Sequence, residues 1–297
     1  MIEPSATPML DLRARPSWRS TKNVIMCGVM VGAFVLVAIP LVAVLWSVIS
    51  RGAGTAFSGF PAFFTKEIPN ISRLPGPGMG PAIVGTLLVT LGATLIAVPL
   101  GILGAVYLHE YGRESKFSRL VRFMSVVMTG VPSIVMGLFV YVIWTMRFGY
   151  SAFGGSIAMA CLMLPIVIGS TEQMLQLVPP HLREAAYALG TTKSRTILTV
   201  VLPAALPGIV SGSLLAVARA AGETAPLLFT IGAATQFNTH LFRGANNALS
   251  AQIFINANSS FAGAQDRAWG AALTLVLLTF AITMIARVFT ARVAMKR

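Results

Sequence analysis

The sequence predicts an all-α membrane protein with six transmembrane helices, and three observations support this fold class. Hydrophobic residues make up 56% of the 297 residues and charged residues only 10%, whereas a soluble globular domain carries about a quarter charged residues. Apolar runs of roughly 20 residues, long enough to cross the hydrocarbon core of a bilayer, recur along the chain. The Lys and Arg residues collect in alternate connections between these runs. We therefore expect a multi-pass membrane protein.

The apolar runs define the order of the predicted spans. They cover residues 24–47, 81–107, 120–145, 155–174, 206–231 and 268–288. The first run is too long for the core of a signal peptide, so it is predicted to be a retained helix. Residues 1–22 form a basic cytoplasmic segment, and residues 23–297 form one transmembrane domain without a separate soluble part.

The positions of the positive charges predict the orientation of the spans. Fifteen of the 22 Lys and Arg residues lie in or beside the two terminal segments and the second and fourth connections, six lie in the other connections, and Arg219 lies inside the fifth span. The Lys- and Arg-rich side is cytoplasmic, so both termini are predicted to be cytoplasmic. The net charge of +13 is thus accounted for without nucleic-acid binding, because the cations flank spans instead of lining one face.

Glycine and proline interrupt two of the predicted spans. Proline removes a backbone donor, which a membrane tolerates only where protein, side chains or water satisfy the freed groups. Gly130 and Pro132 break the third span, and Gly222 and Pro226 break the fifth. Ser133 beside the first break either lines a transport pathway, as in other broken-helix transporters, or belongs to a simple packing kink.

The fifth span also carries two charged residues, Arg219 and Glu223. Residues four apart lie on one face of a helix and can pair. A charge at this depth costs about 3 kcal/mol or more, so both should face a cavity or the bundle interior. A planar guanidinium suits a phosphate-like anion. Glu223 could hold Arg219 between binding events or repel an anion until the pair rearranges; alternatively, the pair only fixes helix packing.

The longest cytoplasmic connection, residues 175–205, is predicted to form two short helices. The first covers residues 182–189, follows a Pro-Pro pair and stops at Gly190. The second covers residues 194–201 and should end before Pro203. Small residues in the first helix permit close approach by another protein. Glu172, at the end of the fourth span, is predicted to be an interfacial cap or, alternatively, a gate.

This connection resembles the EAA motif of ABC importer permeases, with Val200 where the motif usually has Ile. The residues that match the motif are Glu184, Ala185, Ala186, Gly190, Leu202 and Pro203. The resemblance implies coupling helices that seat in a groove of a separate ATPase subunit. It assigns Glu184 and Gly190 to shaping the docked turn and transmitting its movement to the spans.

Residues 219–224, Arg-Ala-Ala-Gly-Glu-Thr, resemble the signature of the phosphate-specific (Pst) branch of these permeases. Residues 225–229 are similar to the A-type subunit, and segments 98–101 and 130–135 support the match. The resemblance covers nearly the whole chain from about residue 20. It implies the MetI-like permease fold, the bacterial plasma membrane, and import of inorganic phosphate. The residues predicted to form the substrate pathway are Arg219, Glu223, Ser133 and Thr224.

The same resemblance implies several partners. They are a C-type permease subunit that completes a heterodimer, a dimer of ATP-binding subunits at the cytoplasmic face, an extracytoplasmic phosphate-binding protein, and the lipid bilayer. Residues 190–194 lack the Gly-Lys-Ser/Thr ending of a phosphate loop, so ATP hydrolysis is expected elsewhere. We expect no catalytic residues, cofactor or metal in this chain.

Three alternatives remain open at the level of sequence. The substrate could be another oxyanion, such as sulfate or molybdate. An ion-coupled secondary transporter would need further intramembrane carboxylates or an inverted repeat, and only Glu223 lies in the interior of a predicted span. An intramembrane enzyme would need an acid/base or metal constellation inside the spans, but the three histidines, His109, His181 and His240, lie outside them.

Overall fold

A computed structural model describes residues 18–69, 78–112 and 115–295. These residues form α-helices, three short π-helical segments and no strands, so the prediction of an all-α protein is confirmed. The described part of the predicted segment 1–22 begins at Trp18 and is helical. The rest of that segment, including Arg13 and Arg15, lies outside the described residues.

The first helix, α1 (Trp18–Ser58), runs through two compact units, which cover Met1–Ser47 and Val48–Arg297. In the first unit, the apolar side chains from Val24 to Leu45 are exposed along the helix. Exposed apolar side chains around a whole helix are typical of a lipid-facing span. The predicted first span, residues 24–47, is therefore helical, whereas its retention in the mature protein stays a prediction.

Five helical stretches among the described residues are long and apolar enough to cross a membrane. They are Thr21–Ser58 in α1; α3 (Gly80–Val106) with the π-helical segment π1 (Tyr107–Tyr111); α7 (Ala152–Gln176); the stretch Lys193–Gly222; and Ala262–Val288 within α13 (Ala262–Met295). The short helix α2 (Ala62–Thr65) follows α1 in the chain. A sixth span is obtained when the bent pair described next is counted as one.

The third predicted span is bent and is not one straight helix. Helix α4 (Lys116–Gly130) is followed by α5 (Ser133–Val140), π2 (Tyr141–Thr145) and α6 (Met146–Phe148), and the axis turns by 108° at the break. Val131 is extended, with φ −72° and ψ 127°, because the following Pro132 disfavours the helical region for its predecessor. Residues 120–145 therefore do not form one straight helix, and the interruption lies at the predicted Gly130 and Pro132.

Pro203 does not end the second helix of the cytoplasmic connection. Helix α9 (Lys193–Thr196) continues through π3 (Ile197–Val201) into α10 (Leu202–Gly222). Proline normally clashes with the carbonyl four residues earlier, whereas a π turn is wider than an α turn. The predicted stop before Pro203 is wrong because the π turn accommodates the ring within a continuous helix.

The core of the second unit lies between α3 and α7. Ala93 and Ala97 of α3 and Met163 of α7 are buried there. A Cβ built on Gly101 would lie 2.6 Å from the Val167 side chain, so the two helices approach closely. Small residues at helix interfaces are the usual means of close packing in membranes.

A structured segment between α11 (Ala225–Thr230) and α12 (Leu249–Ala257) packs against α3. The buried side chain of Asn247 donates to the Ala234 carbonyl at 2.7 Å and to the Gln252 side chain at 2.9 Å. A Cβ at Gly85 would lie 1.9 Å from the Asn247 carbonyl oxygen. The segment therefore depends on glycine at that position of α3.

Candidate substrate pathway and coupling loop

The fifth predicted span is unwound at its charged pair. Helix α10 ends at Gly222, Glu223 is extended with φ −70° and ψ 137°, and α11 starts at Ala225 with Pro226 in its first turn. Proline fits the first turn of a helix because no N–H is needed there. The prediction that Arg219 and Glu223 share one helical face is wrong, since Glu223 lies beyond the helix end.

Arg219 and Glu223 are nevertheless paired. The Nε atom of Arg219 lies 3.6 Å from Oε1 of Glu223, and their side chains are 68% and 22% exposed, respectively. The Arg219 guanidinium therefore lies on the outer surface of the single chain, within an apolar span. A cation at membrane depth requires a water-filled cavity or a neighbouring protein.

The two helices that follow the breaks pack against each other. A Cβ built on Gly137 of α5 would lie 2.5 Å from the Cα atom of Pro226 in α11. Ser133 is four residues before Gly137 and therefore lies on the same face of α5, and its side chain is half-buried. Thr224 immediately precedes α11, and its carbonyl accepts the N–H groups of the first turn. Both breaks thus belong to one region.

Ser250 fixes the unwound segment from a third element. Its hydroxyl, on α12, donates to the Glu223 carbonyl at 2.8 Å, which satisfies a backbone group that the helix end leaves free. The Thr86 hydroxyl on α3 accepts the N–H of Leu249 at 2.8 Å and caps α12. Sequence reasoning did not find Ser250. The polar residues Asn246, Asn247, Gln252 and Asn256, which flank Ser250 between two apolar spans, were the available signal.

The predicted coupling loop contains a well-formed helix stop. Helix α8 (Pro180–Ala188) is followed by Gly190 at φ +77°. The Gly190 N–H donates to the Tyr187 carbonyl at 2.9 Å, and the Thr191 N–H donates to the Ala186 carbonyl at 3.2 Å. These two bonds are those of a Schellman motif, in which glycine is favoured at this position. The turn therefore depends on Gly190.

The exposed surface of the coupling loop includes large apolar side chains. Glu184 and Ala185 are exposed and Ala186 is buried, while Leu189 is 85% exposed and Leu198 is also exposed. Leu202 and Pro203 are half-buried at the start of α10. Large apolar side chains exposed on a polar connection are typical of protein-binding surfaces.

Glu172 is paired and does not act as a helix cap. Its Oε1 atom accepts from Nη2 and Nε of Arg122 on α4, at 2.6 and 2.9 Å. The Arg122 Nη2 atom also donates to the Leu108 carbonyl of π1 at 3.0 Å. The prediction of a cap is therefore wrong, because Glu172 lies inside α7, which ends at Gln176, and its carboxylate pairs with Arg122 on a neighbouring helix.

Comparison with known proteins identifies the family. Residues 97–295 match the family described as binding-protein-dependent transport system inner membrane component. The phosphate transport system permease protein PstA of Yersinia pestis is 42% identical over 289 residues, which are 97% of this chain and 96% of that protein. PstA 1 of Mycobacterium tuberculosis H37Rv is 42% identical over 96% of this chain and 91% of that protein. PstA of Haemophilus influenzae is 35% identical over 92% of this chain and 95% of that protein.

Solved structures agree with this fold. A chain of the MetNI methionine ABC transporter in an inward-facing conformation superposes with a TM-score of 0.60 at 18% identity, covering 71% of this chain and 94% of that chain. The predicted MetI-like permease fold is therefore confirmed. With the apolar spans, the family match also confirms a multi-pass protein of the bacterial plasma membrane. The chain belongs to the binding-protein-dependent transport system inner membrane components and, within that family, to the phosphate transport system permease proteins PstA.

Proposed function

We propose that this chain is a transmembrane permease subunit of an ATP-driven ABC importer that moves inorganic phosphate into the cytoplasm. The observation that carries the proposal is the Arg219–Glu223 pair at an unwound segment of a span, with Nε and Oε1 3.6 Å apart, in a chain 42% identical to a phosphate transport system permease. An arginine in a membrane span is functional by default, and its planar fork matches phosphate oxygens.

Glu223 favours phosphate over a fully deprotonated oxyanion. A carboxylate can only accept hydrogen bonds, and phosphate near neutral pH keeps at least one proton to donate, whereas sulfate keeps none. Phosphate can therefore bind Arg219 through two oxygens and Glu223 through its O–H group. Sulfate would bring an unprotonated oxygen against the Glu223 carboxylate. A site that requires a hydrogen-bond donor on its ligand rejects ligands without such a donor.

The pathway lies between this chain and a second permease subunit. Arg219 is exposed on the single chain, and leaving a charge against lipid is costly. A C-type permease subunit would enclose Arg219, Ser133 and Thr224 and complete a water-filled passage. Phosphate reaches this passage from an extracytoplasmic phosphate-binding protein. The heterodimer is thus the smallest unit that can contain the pathway.

Energy enters at the coupling loop. A dimer of ATP-binding subunits docks at the cytoplasmic face, against the exposed residues around Glu184 and Leu189. The Gly190 turn sets the angle between α8 and α9, and α9 continues without a break into α10. A displacement of the docked turn therefore moves the same helical stretch, Lys193–Gly222, that ends beside Glu223.

Uptake of radiolabelled anions tests the proposal. The chain is expressed with its partner subunits in bacteria that lack their own phosphate transporters, and uptake of phosphate, sulfate and molybdate is measured in parallel. We expect energy-dependent uptake of phosphate alone. Uptake of sulfate or molybdate without phosphate would assign the chain to another oxyanion. Co-purification from the same membranes would identify the permease, ATPase and binding protein that accompany it.

A further inference from the structure

Two adjacent residues of π1 contact the coupling loop on both sides of its glycine turn. Oε1 of Glu110 lies 2.9 Å from Nη2 of Arg183 in α8. The ring of Tyr111 lies under the Lys193 ammonium of α9, with Nζ 4.8 Å from the ring centre. Such a cation–π contact adds to the attraction between the two elements. The cytoplasmic end of the α3 span therefore touches both helices that flank Gly190.

Arg183 ties three elements together through one guanidinium. Besides Glu110, it donates to the Val178 carbonyl at 2.8 Å and to the Leu175 carbonyl at 3.0 Å, at the end of α7. The Arg183 and Glu110 side chains are only 15% and 7% exposed. Removing one member of a buried pair leaves the other charge uncompensated. The coupling helix therefore cannot shift without moving π1 or breaking this pair.

From π1, polar contacts continue towards the pathway. The Leu108 carbonyl of π1 accepts from Arg122 of α4, which also pairs with Glu172 of α7. Helix α4 then runs to the break at Gly130, and α5 beyond the break packs against Pro226. A contiguous set of charged pairs and helices thus joins the coupling loop to the unwound segment beside Arg219.

We propose that Glu110 and Arg183 are positioning residues that transmit the movement of the coupling loop, through π1, to α3 and α4. The inference rests on the proposed function and specifies its coupling route. π-helical turns are rare and occur frequently at functional sites, and π1 contacts α3, α4, α7, α8 and α9. Physical continuity alone does not establish coupling, so the test must separate transmission from folding.

The test uses the assembled complex with its ATP-binding subunits in proteoliposomes. Glu110→Gln keeps the shape of the side chain and removes its charge, and Arg183→Gln removes the other charge. The double variant completes a double-mutant cycle, which measures the interaction between Glu110 and Arg183. Arg183→Lys keeps the charge but not the planar fork. Arg119→Gln, an exposed cation on α4, is the matched control.

The principal readout is the amount of phosphate moved per ATP hydrolysed. We expect this ratio to fall by about two- to thirtyfold in either single Gln variant, with no further loss in the double variant and partial recovery in Arg183→Lys. The control should keep the wild-type ratio. A role in folding alone would lower assembly, uptake and ATP hydrolysis in parallel and leave the ratio unchanged, which would overturn the proposal.

Two further measurements keep the outcome decisive. Lys193→Met removes an exposed positive charge from the contact between π1 and α9 and leaves no unpaired charge buried. This variant can therefore be measured even where the Gln variants do not assemble. An unchanged ratio of phosphate moved to ATP hydrolysed in Lys193→Met would overturn the proposal. ATP should also change the distance between spin labels at the exposed positions Val126 and Ile255 in the wild type but not in Glu110→Gln. The distance measurement needs no phosphate. If the complex took up no phosphate, the proposed function would be refuted, but the change in distance would still test the coupling route.

Discussion

Gly137 of α5 lies directly against Pro226 of α11, and a Cβ on Gly137 would be 2.5 Å from the Pro226 Cα atom and 3.2 Å from its carbonyl oxygen. Each of these helices begins immediately after a break in a span. The contact therefore fixes the two breaks relative to each other. Only glycine permits helices to approach this closely, as at other small-residue interfaces in membranes.

Gly137→Ala should destabilise the protein. The added methyl group meets backbone atoms of Pro226, which cannot move aside as a flexible side chain could, and overpacking of this kind costs about 1–3 kcal/mol. We expect a lower melting temperature of the purified complex in detergent and reduced phosphate uptake. Gly169→Ala is the matched control, because no atom lies within 4 Å of its added Cβ and alanine favours a helix by about 1 kcal/mol. Equal melting temperatures for the two variants would contradict the packing described here.

Arg219→Ala should abolish most phosphate uptake while the complex still assembles. A hydrogen bond to a charged group contributes about 1.5–3 kcal/mol, which corresponds to a reduction of about tenfold or more in uptake at low phosphate. Arg219→Lys keeps the charge but loses bidentate geometry, so its uptake should be intermediate. The control is Arg147→Ala, an exposed arginine in α6, which should transport normally. Unchanged uptake by Arg219→Ala would remove Arg219 from the pathway.

The sequence predicted the helical class and the pairing of Arg219 with Glu223 because both depend on local spacing. It did not predict the 108° turn after Gly130, since Pro132 marks a break but tertiary packing of α5 against α11 sets the angle. The continuous helix through Pro203 was missed because a π turn has no simple residue signature. Contacts between residues far apart in sequence, such as that of Ser250 with the Glu223 carbonyl, produce no periodic pattern in the amino-acid sequence and so were not predicted.

Glu223→Gln should weaken the discrimination between phosphate and sulfate. The amide keeps an oxygen acceptor for the phosphate O–H group, but it is neutral and no longer repels an unprotonated sulfate oxygen. We expect sulfate to inhibit labelled phosphate uptake more strongly in this variant than in the wild type. Glu223→Asp, which keeps the charge on a shorter side chain, should retain the discrimination. Identical sulfate inhibition in the wild type and Glu223→Gln would show that Glu223 does not select the anion.

Arg122→Gln and Glu172→Gln should each lower the stability of the complex, and their effects should not add. The atoms Nη2 and Oε1 lie 2.6 Å apart, but the Arg122 side chain is 37% exposed, so we expect a coupling energy of only about 1 kcal/mol. The melting temperatures of both single variants and the double variant measure it. Additive losses would mean that the two side chains act independently.

Gly190→Ala should impair the docking of the ATP-binding subunits through the backbone alone. Gly190 has φ +77°, and no atom lies within 4 Å of an added Cβ, so the cost arises only from the left-handed conformation, at about 1 kcal/mol. Asparagine tolerates this conformation better than alanine. Binding of the ATP-binding subunits and their ATPase activity should therefore decrease in the order Gly190, Gly190→Asn, Gly190→Ala. Since asparagine is larger than alanine, the reverse order of the two variants would mean that steric exclusion at the docked surface, and not the backbone, requires glycine here.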